Sequence, residues 1–223
     1  MKPELNVKKA KEIEKAVLDL LANQKQFLTR ETINSPRAVG DAIETILEDN
    51  FEAILGNISA NYSKNFARRA MADLAFEDNS GYYYVIDVKT HNLDTKFNMP
   101  NLTSVDRLAR FYESDSNVFM LLMVKYQANS KQAKLEFSAV DFVPIEHLSW
   151  ECLTVGALGW GQIQIANSNN IKINRGYSRK SWMIELCDYL LEFYPREIGK
   201  IKKRMNRFEK LKKTWQKKAD IWS

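Results

Sequence analysis

The sequence predicts a mixed α/β (α+β) fold in which helices flank a central mixed β-sheet. The supporting evidence is a change of periodicity along the chain, from helical spacing over 4–28 and 35–55, to strand-like runs over 72–90 and 117–145, and back to helical spacing over 178–218. Helices on either side of a group of strands are typical of one layered domain. We therefore expect a single domain over residues 1–223, of which residues 196–223 form a basic C-terminal helical extension.

The first two helices are predicted from apolar stripes. The first stripe includes Leu5, Ile13 and Val17, three residues separated by multiples of a helical turn. The second helix opens at Ser35, a good N-cap, followed by Pro36 in the first turn. Its stripe continues through Val39, Ile43, Ile46, Leu47 and Phe51.

A hairpin is predicted after an irregular, polar stretch over residues 56–70. Two strand-like segments, ADLAFED and YYYVIDVKT, are separated by a turn at residues 78–81. A loop with Pro100 is expected over residues 92–103, and a short helix over 104–112.

The second half of the chain adds further strands and a long helical region. NVFMLLMVKYQ reads as a buried strand and AKLEFSAVDFVPI as a half-exposed one. A turn-rich connector over 156–161 precedes the short alternating strand GQIQIAN. From Ser178 to Lys218 the spacing is helical, and Pro195 is expected to break this region into two helices.

The composition indicates a folded, soluble protein. Of the 223 residues, 45% are hydrophobic and 11% aromatic, enough for a substantial core. No run approaches the roughly 20 apolar residues that a membrane span needs, and the N-terminus is charged, so we expect a soluble, cytoplasmic protein. Cys152 and Cys187 are far apart in sequence, and we expect both to be buried free thiols.

Positive charge is concentrated near the C-terminus. Residues 196–218 contain eleven Lys or Arg and two Glu, a net of +9, against a net of −4 for the rest of the chain. A basic stripe of this kind is typical of a phosphate-binding face, although many such stripes are simply solvated helix surface.

The hairpin carries a group of charged residues in an apolar setting. Asp87 and Lys89 are two residues apart and so point to the same face of a strand, and the hairpin brings Asp73 near them. Two close carboxylates repel each other, and a hard divalent cation relieves that repulsion. We therefore expect a Mg²⁺ site, because magnesium held by one or two carboxylates keeps positions for water and phosphate oxygens.

At these residues the sequence resembles a known family. An Asp followed at some distance by Asp/Glu-x-Lys is the active-site pattern of the PD-(D/E)xK nucleases. The segments PRAVGDAIETIL, DVKTHN and NMPNLTSVDRLARFY, with the later GWGQIQI and SRKSWMIELCDYLLEF, are similar in order and content to the HincII-type restriction endonucleases. The likeness covers residues 36–208, apart from the segment between Phe51 and Ala72, and implies a restriction-endonuclease-like core.

The resemblance implies a homodimeric type II restriction endonuclease that hydrolyses phosphodiester bonds in double-stranded DNA at a short, palindromic site. Asp73 and Asp87 would bind Mg²⁺, Lys89 would position and activate water, and Glu44 would lie near the site on its helix. For Glu44, a solvated helix carboxylate is an equal alternative.

Further residues are candidates for contact with DNA. Thr90 is a candidate to donate a hydrogen bond to a DNA phosphate. For His91, a phosphate contact and a simple surface role are both open. Asn98 and Asn101 lie on a loop that reaches the DNA in the resembled family, and Asn can read an adenine edge. The remaining candidates are Gln162 and Gln164 on an alternating strand, for which an exposed strand face is an equal alternative, and Lys202, Lys203 and Arg204 in the basic helix.

Two other functions remain open from the sequence alone. The same metal chemistry would serve a structure-specific repair or recombination nuclease. Alternatively, the basic helix would make the protein a non-catalytic DNA-binding module in which Asp73 and Asp87 are structural acids.

Overall fold

The computed structural model describes residues 3–24, 28–29, 31–63, 72–129 and 134–220. The chain divides into two compact units, Met1–Ser178 and Arg179–Ser223. Among the described residues, the first unit contains the α-helices α1 (Val7–Ala22), α2 (Pro36–Leu55) and α3 (Val105–Phe111), and the second unit contains α4 (Arg179–Trp215). The strands are β1 (Ser59–Ser63), β2 (Leu74–Asp78), β3 (Tyr83–Asn92), β4 (Asn101–Ser104), β5 (Asn117–Asn129), β6 (Lys134–Pro144), β7 (Leu153–Gly156) and β8 (Gln162–Ile165).

The strands form two sheets, which confirms the predicted mixed α/β class. The larger sheet has the order β1-β2-β3-β5-β6, with β3 and β5 parallel and the other neighbours antiparallel. The smaller sheet is antiparallel, with the order β4-β8-β7. The parallel pair at the centre of the larger sheet is where buried strands are expected, and β5 is buried throughout from Val118 to Val124.

The hydrophobic core lies between the first two helices and one face of the larger sheet. α1 buries Ile13, Val17 and Leu21, and α2 buries the stripe predicted for it, including Val39 and Ile43. These side chains join alternate residues of the central strands, among them Ile86, Val88, Met120 and Leu122, in one cluster.

Both helix starts follow from local capping. The Asn6 side chain accepts hydrogen bonds from the backbone N–H groups of Lys8 and Lys9. Ser35 caps α2 by accepting from the Ala38 N–H at 3.3 Å, and Pro36 occupies the first turn, as the sequence predicts. The second cap fixes where α2 begins and therefore which of its residues face the sheet.

Three expectations about backbone structure were wrong. Residues 59–63 form an edge strand instead of an irregular segment, because β2 supplies the backbone hydrogen bonds and an exposed edge needs few apolar side chains. Within the predicted loop 92–103, Asn101 begins a strand that pairs with β8. α4 also continues through Pro195, where the neighbouring Arg196 Nε donates to the Glu192 carbonyl at 3.1 Å.

The cysteine prediction is half correct. Cys152 and Cys187 are both free, and Cys152 is buried. Cys187, however, is exposed, whereas the buried apolar residues of α4 are Trp182, Leu186 and Phe193. No helix in the described part of the chain combines the length and apolarity that crossing a membrane requires.

Candidate metal centre and nucleic-acid interface

The candidate metal centre lies where β2 and β3 separate. β2 begins at Leu74, which is opposite Ile86, so the pairing of these two strands extends no further toward the C-terminal end of β3. The sequence predicted Asp73 to lie within this strand, but Asp73 is the residue just before β2 begins. Its Oδ2 accepts a hydrogen bond of 2.6 Å from the Val88 N–H. The Asp73 carboxylate thus takes the place of a strand carbonyl and is fixed beside the second half of β3.

Asp87 and Lys89 form an ion pair on β3, as their spacing predicts. Lys89 Nζ lies 2.6 Å from Asp87 Oδ1, and the Lys89 side chain is 24% exposed. Asp87 itself is only 5% exposed. The ammonium therefore reaches solvent while the carboxylate that holds it stays within the protein.

The second oxygen of Asp87 has no hydrogen-bond partner. Asp87 Oδ2 is one of only two buried side-chain oxygen or nitrogen atoms among the described residues without a partner. A buried, unpaired carboxylate oxygen is costly, and such groups usually pair with a charge or coordinate a metal. This orphaned oxygen is the feature of the site that most calls for a cation.

The pKa of Asp87 reflects the same imbalance. Burial raises it from 3.8 to about 7, against the opposing effect of the Lys89 charge and hydrogen bond. The charges of Asp73 and Glu44 raise it further. A divalent cation would reverse this by favouring the ionised carboxylate.

Asp73 has a raised pKa for related reasons. Burial is the largest cause, while the Val88 N–H and the Lys89 charge act in the opposite direction. The charge of Glu48 also raises it. Asp73 and Asp87 are therefore two mutually repelling carboxylates, each with one oxygen already committed to a hydrogen bond.

α2 brings two further acidic residues toward this region. A Cβ added at Gly40 would lie 3.5 Å from Thr90 Oγ1, so this turn of α2 packs closely on the end of β3. Glu44 is one helical turn beyond Gly40, is half-buried, and acts on the pKa of Asp87. The structure thus brings the predicted Glu44 near the site.

Glu48 was not among the residues predicted from the sequence. It lies one turn after Glu44 on the same side of α2, and its charge acts on Asp73. The Glu44-x-x-x-Glu48 spacing was visible in the sequence, but such pairs are common on exposed helices. Only the packing of α2 on β3 shows that this pair lies near the site.

The donor set fits a magnesium ion held by few protein ligands. Among the described residues, no group of three or more His, Cys, Asp or Glu side chains is arranged to hold a metal ion. Magnesium is commonly bound by one or two carboxylates and completes its shell with water and substrate oxygens. Asp73 and Asp87 meet that requirement, and the orphaned Asp87 Oδ2 is the oxygen available to such an ion.

His91 lies within the protein and not on its surface. It is 2% exposed, its Nδ1 is 2.8 Å from Ser168 Oγ, and its Nε2 is 3.0 Å from Asn169 Oδ1. Asn169 in turn donates to the backbone carbonyls of Thr95 and Lys96 at 2.9 and 3.0 Å. His91 therefore positions the segment after β3, and both of its ring nitrogens have partners within the protein.

Thr90 and Asn98 are held in different settings. The Thr90 hydroxyl is directed toward Gly40 on α2. Asn98 is half-buried, and its carbonyl accepts from the Ser168 N–H at 2.8 Å. The loop that carries Asn98 is thus tied through Ser168 and Asn169 to the same network as His91.

The structure brings together three of the predicted base-reading residues. Asn101 on β4 is directly opposite Gln164 on β8, and Gln164 Nε2 donates to Asn101 Oδ1 at 2.6 Å. Gln162 lies two residues before Gln164 and therefore shares its face of the small sheet. Gly156 on β7 allows this arrangement, since a Cβ there would lie 2.7 Å from Gln164 Oε1.

The basic residues Lys202, Lys203 and Arg204 are exposed on α4, in the second unit. They meet the requirement of solvent access for contact with phosphates.

Comparison of the chain with models of protein families and with curated proteins finds no match.

Proposed function

We propose that this protein is a magnesium-dependent, sequence-specific endonuclease of the type II restriction class, acting on double-stranded DNA as a homodimer. The observation that carries the proposal is the orphaned, buried Asp87 Oδ2 beside Asp73 and the Lys89 ammonium. The resemblance to the HincII-type enzymes supports the same chemistry, and the Asn101–Gln164 pair supports recognition of bases.

The residues divide the work of hydrolysis between them. Asp73 and Asp87 would hold Mg²⁺, which supplies Lewis-acid polarisation of the phosphate and a lower pKa for attacking water. The Lys89 ammonium is held beside the metal ligands by its ion pair with Asp87. From there it would orient the water or stabilise negative charge that develops on the phosphate oxygens. In the reaction, water adds to phosphorus and one P–O ester bond breaks, giving a phosphate monoester and a free hydroxyl.

The direct test is cleavage of long duplex DNA with Mg²⁺, followed by sequencing of the ends. The expected result is discrete fragments that share one short palindrome. Cutting restricted to branched DNA would favour a structure-specific nuclease, and binding without cutting would favour a DNA-binding module.

A matched pair of variants assigns the activity to this site. Lys89→Ala should lower the cleavage rate at least about 100-fold, because the ammonium acts mainly on transition-state charge, while affinity for the site stays close to wild type. Lys125→Ala is the control, since Lys125 is 28% exposed and also pairs with an aspartate, Asp141, at 2.9 Å. Equal rates for the two variants would remove Lys89 from the mechanism.

A further inference from the structure

The C-terminal half of α4 exposes a series of large apolar residues. From Ile198 to Trp215 every residue of the helix is exposed. Ile201 and Phe208 are 48% and 65% exposed, and Met205 is 58% exposed. An isolated helix segment of this length is marginally stable in water, and large apolar side chains on one side of it indicate a missing partner.

These residues follow a seven-residue repeat. Leu191, Ile198 and Met205 are seven residues apart, and Ile201, Phe208 and Trp215 form a second series that is three residues further along. These are the a and d positions of a heptad, and the two series continue the pattern from Ile184 to the end of α4. More than four heptads are long enough for a coiled coil.

The charges beside the stripe match a second copy of the same helix. In a parallel, in-register pair, a g residue of one helix meets the e residue five positions later on the other. Arg204 then meets Glu209, and both residues are exposed on α4. This pair joins opposite charges, so the helix is complementary to itself.

The same arrangement keeps the basic face of α4 outward. Lys203 and Lys210 fall at f positions and Arg207 at a c position, on the side away from the apolar stripe. Lys212 falls at an a position, where a single charged residue costs stability but limits register and oligomer number. DNA is therefore a poor occupant for the stripe and a good one for the opposite face.

We infer that α4 pairs with α4 of a second copy of this chain in a parallel coiled coil, through the a and d residues between Leu191 and Trp215. The inference rests on the proposed function only for the expectation of two copies per DNA site. Its test needs neither DNA nor metal, so a failure of the nuclease proposal would leave it standing, and the reverse.

The test is the oligomeric state of the full chain by sedimentation equilibrium. The wild type should have twice the chain mass of 25.9 kDa at micromolar concentration. Ile201→Glu with Phe208→Glu should raise the dimer dissociation constant at least about 100-fold, because four carboxylates would enter the seam. Both residues are exposed in the single chain, so the variant should fold, which far-ultraviolet circular dichroism checks.

Two comparisons make the test specific. Asn206→Glu with Thr214→Glu adds the same charge at exposed positions off the stripe and should leave the dimer intact. Arg204→Glu should weaken the dimer, and adding Glu209→Arg should restore it. A monomeric wild type, or a dimer unaffected by the Ile201 and Phe208 changes, would overturn the inference, and a dimer indifferent to Arg204→Glu would overturn the parallel register.

Discussion

At the scale of single residues, the site depends on one carboxylate, that of Asp87, whose burial is only partly compensated by hydrogen bonds and charge. Asp87 is 5% exposed and forms an ion pair with Lys89, and its second oxygen has no hydrogen-bond partner among the residues that the structure describes. The fold therefore carries an electrostatic cost at this position. Such a cost is expected where a ligand, and not the protein, completes the site.

Protein stability should fall as the pH rises through this titration in the absence of divalent metal. The pKa of Asp87 is raised from 3.8 to about 7, so between these values the folded state binds more protons than the unfolded state. The stabilising contribution of the protonated form is complete below 3.8 and is lost by about pH 7. Urea unfolding across this range, with EDTA, measures the change.

Asp87→Asn should remove most of that pH dependence and leave the protein more stable than wild type above about pH 7, where wild-type Asp87 is ionised. Asp141→Asn is the control, because Asp141 is also paired with a lysine but its second oxygen is not left buried without a partner. The same pH dependence in wild type and Asp87→Asn would show that Asp87 is not the titrating group.

Divalent metal should reverse the effect. Mg²⁺ or Ca²⁺ at millimolar concentration should stabilise the wild type above about pH 7, since an ion that binds only the folded state adds RT ln(1 + [L]/Kd) to the free energy of unfolding. The stabilisation should decline below about pH 7, where the proton competes with the metal for Asp87. Thermal unfolding of wild type and Asp87→Asn with each ion is the measurement, and equal metal-induced shifts in the two proteins would contradict the ligand assignment.

At the scale of elements, the site is assembled by the start of one strand and by the packing of a helix against another strand. β2 begins one residue after Asp73, and α2 packs its Gly40 turn against Thr90. The D-x-K spacing predicted the Asp87–Lys89 pair from strand alternation alone. The contribution of Glu48 and the burial of His91 could not be predicted, because both depend on how distant segments pack and not on local period.

Gly156 is expected to control the polar pair on the small sheet. Gly156→Ala would place a Cβ 2.7 Å from Gln164 Oε1, and the amide would have to move away from Asn101. Under the proposed function, discrimination between the cognate site and single-base variants should fall about tenfold, within the roughly 1–3 kcal/mol of one good base contact. Cleavage rates on all single-base variants measure this.

Gly40→Ala provides a matched control on another element. There the added Cβ would meet Thr90 Oγ1 at an ordinary 3.5 Å, and alanine is the better helix former by up to about 1 kcal/mol. This variant should keep its discrimination and gain stability. Reduced discrimination in both variants would point to general loosening of the fold.

At the scale of the whole molecule, α4 carries both a concentration of positive charge and a stripe of exposed apolar residues. The sequence predicts the basic character of residues 196–218 directly, since composition alone reveals it. The uninterrupted α4 was not predicted, because an internal proline usually ends a helix and only the surrounding turns show that this one is tolerated.

The outer face of α4 is expected to contribute to DNA affinity without affecting sequence preference. Replacing Lys203, Arg207 and Lys210 with Gln should reduce the slope of log affinity against log salt by up to about 0.9 for each phosphate that these side chains no longer neutralise. Replacing Lys8, Lys15 and Arg37, which are exposed on α1 and α2, removes the same charge and should change the slope little. Because phosphate contacts do not read bases, the ratio of affinities for cognate and unrelated duplexes should stay nearly constant in both triple variants. An equal reduction of the slope in the two variants would mean that net charge, and not this face of α4, determines the attraction to DNA.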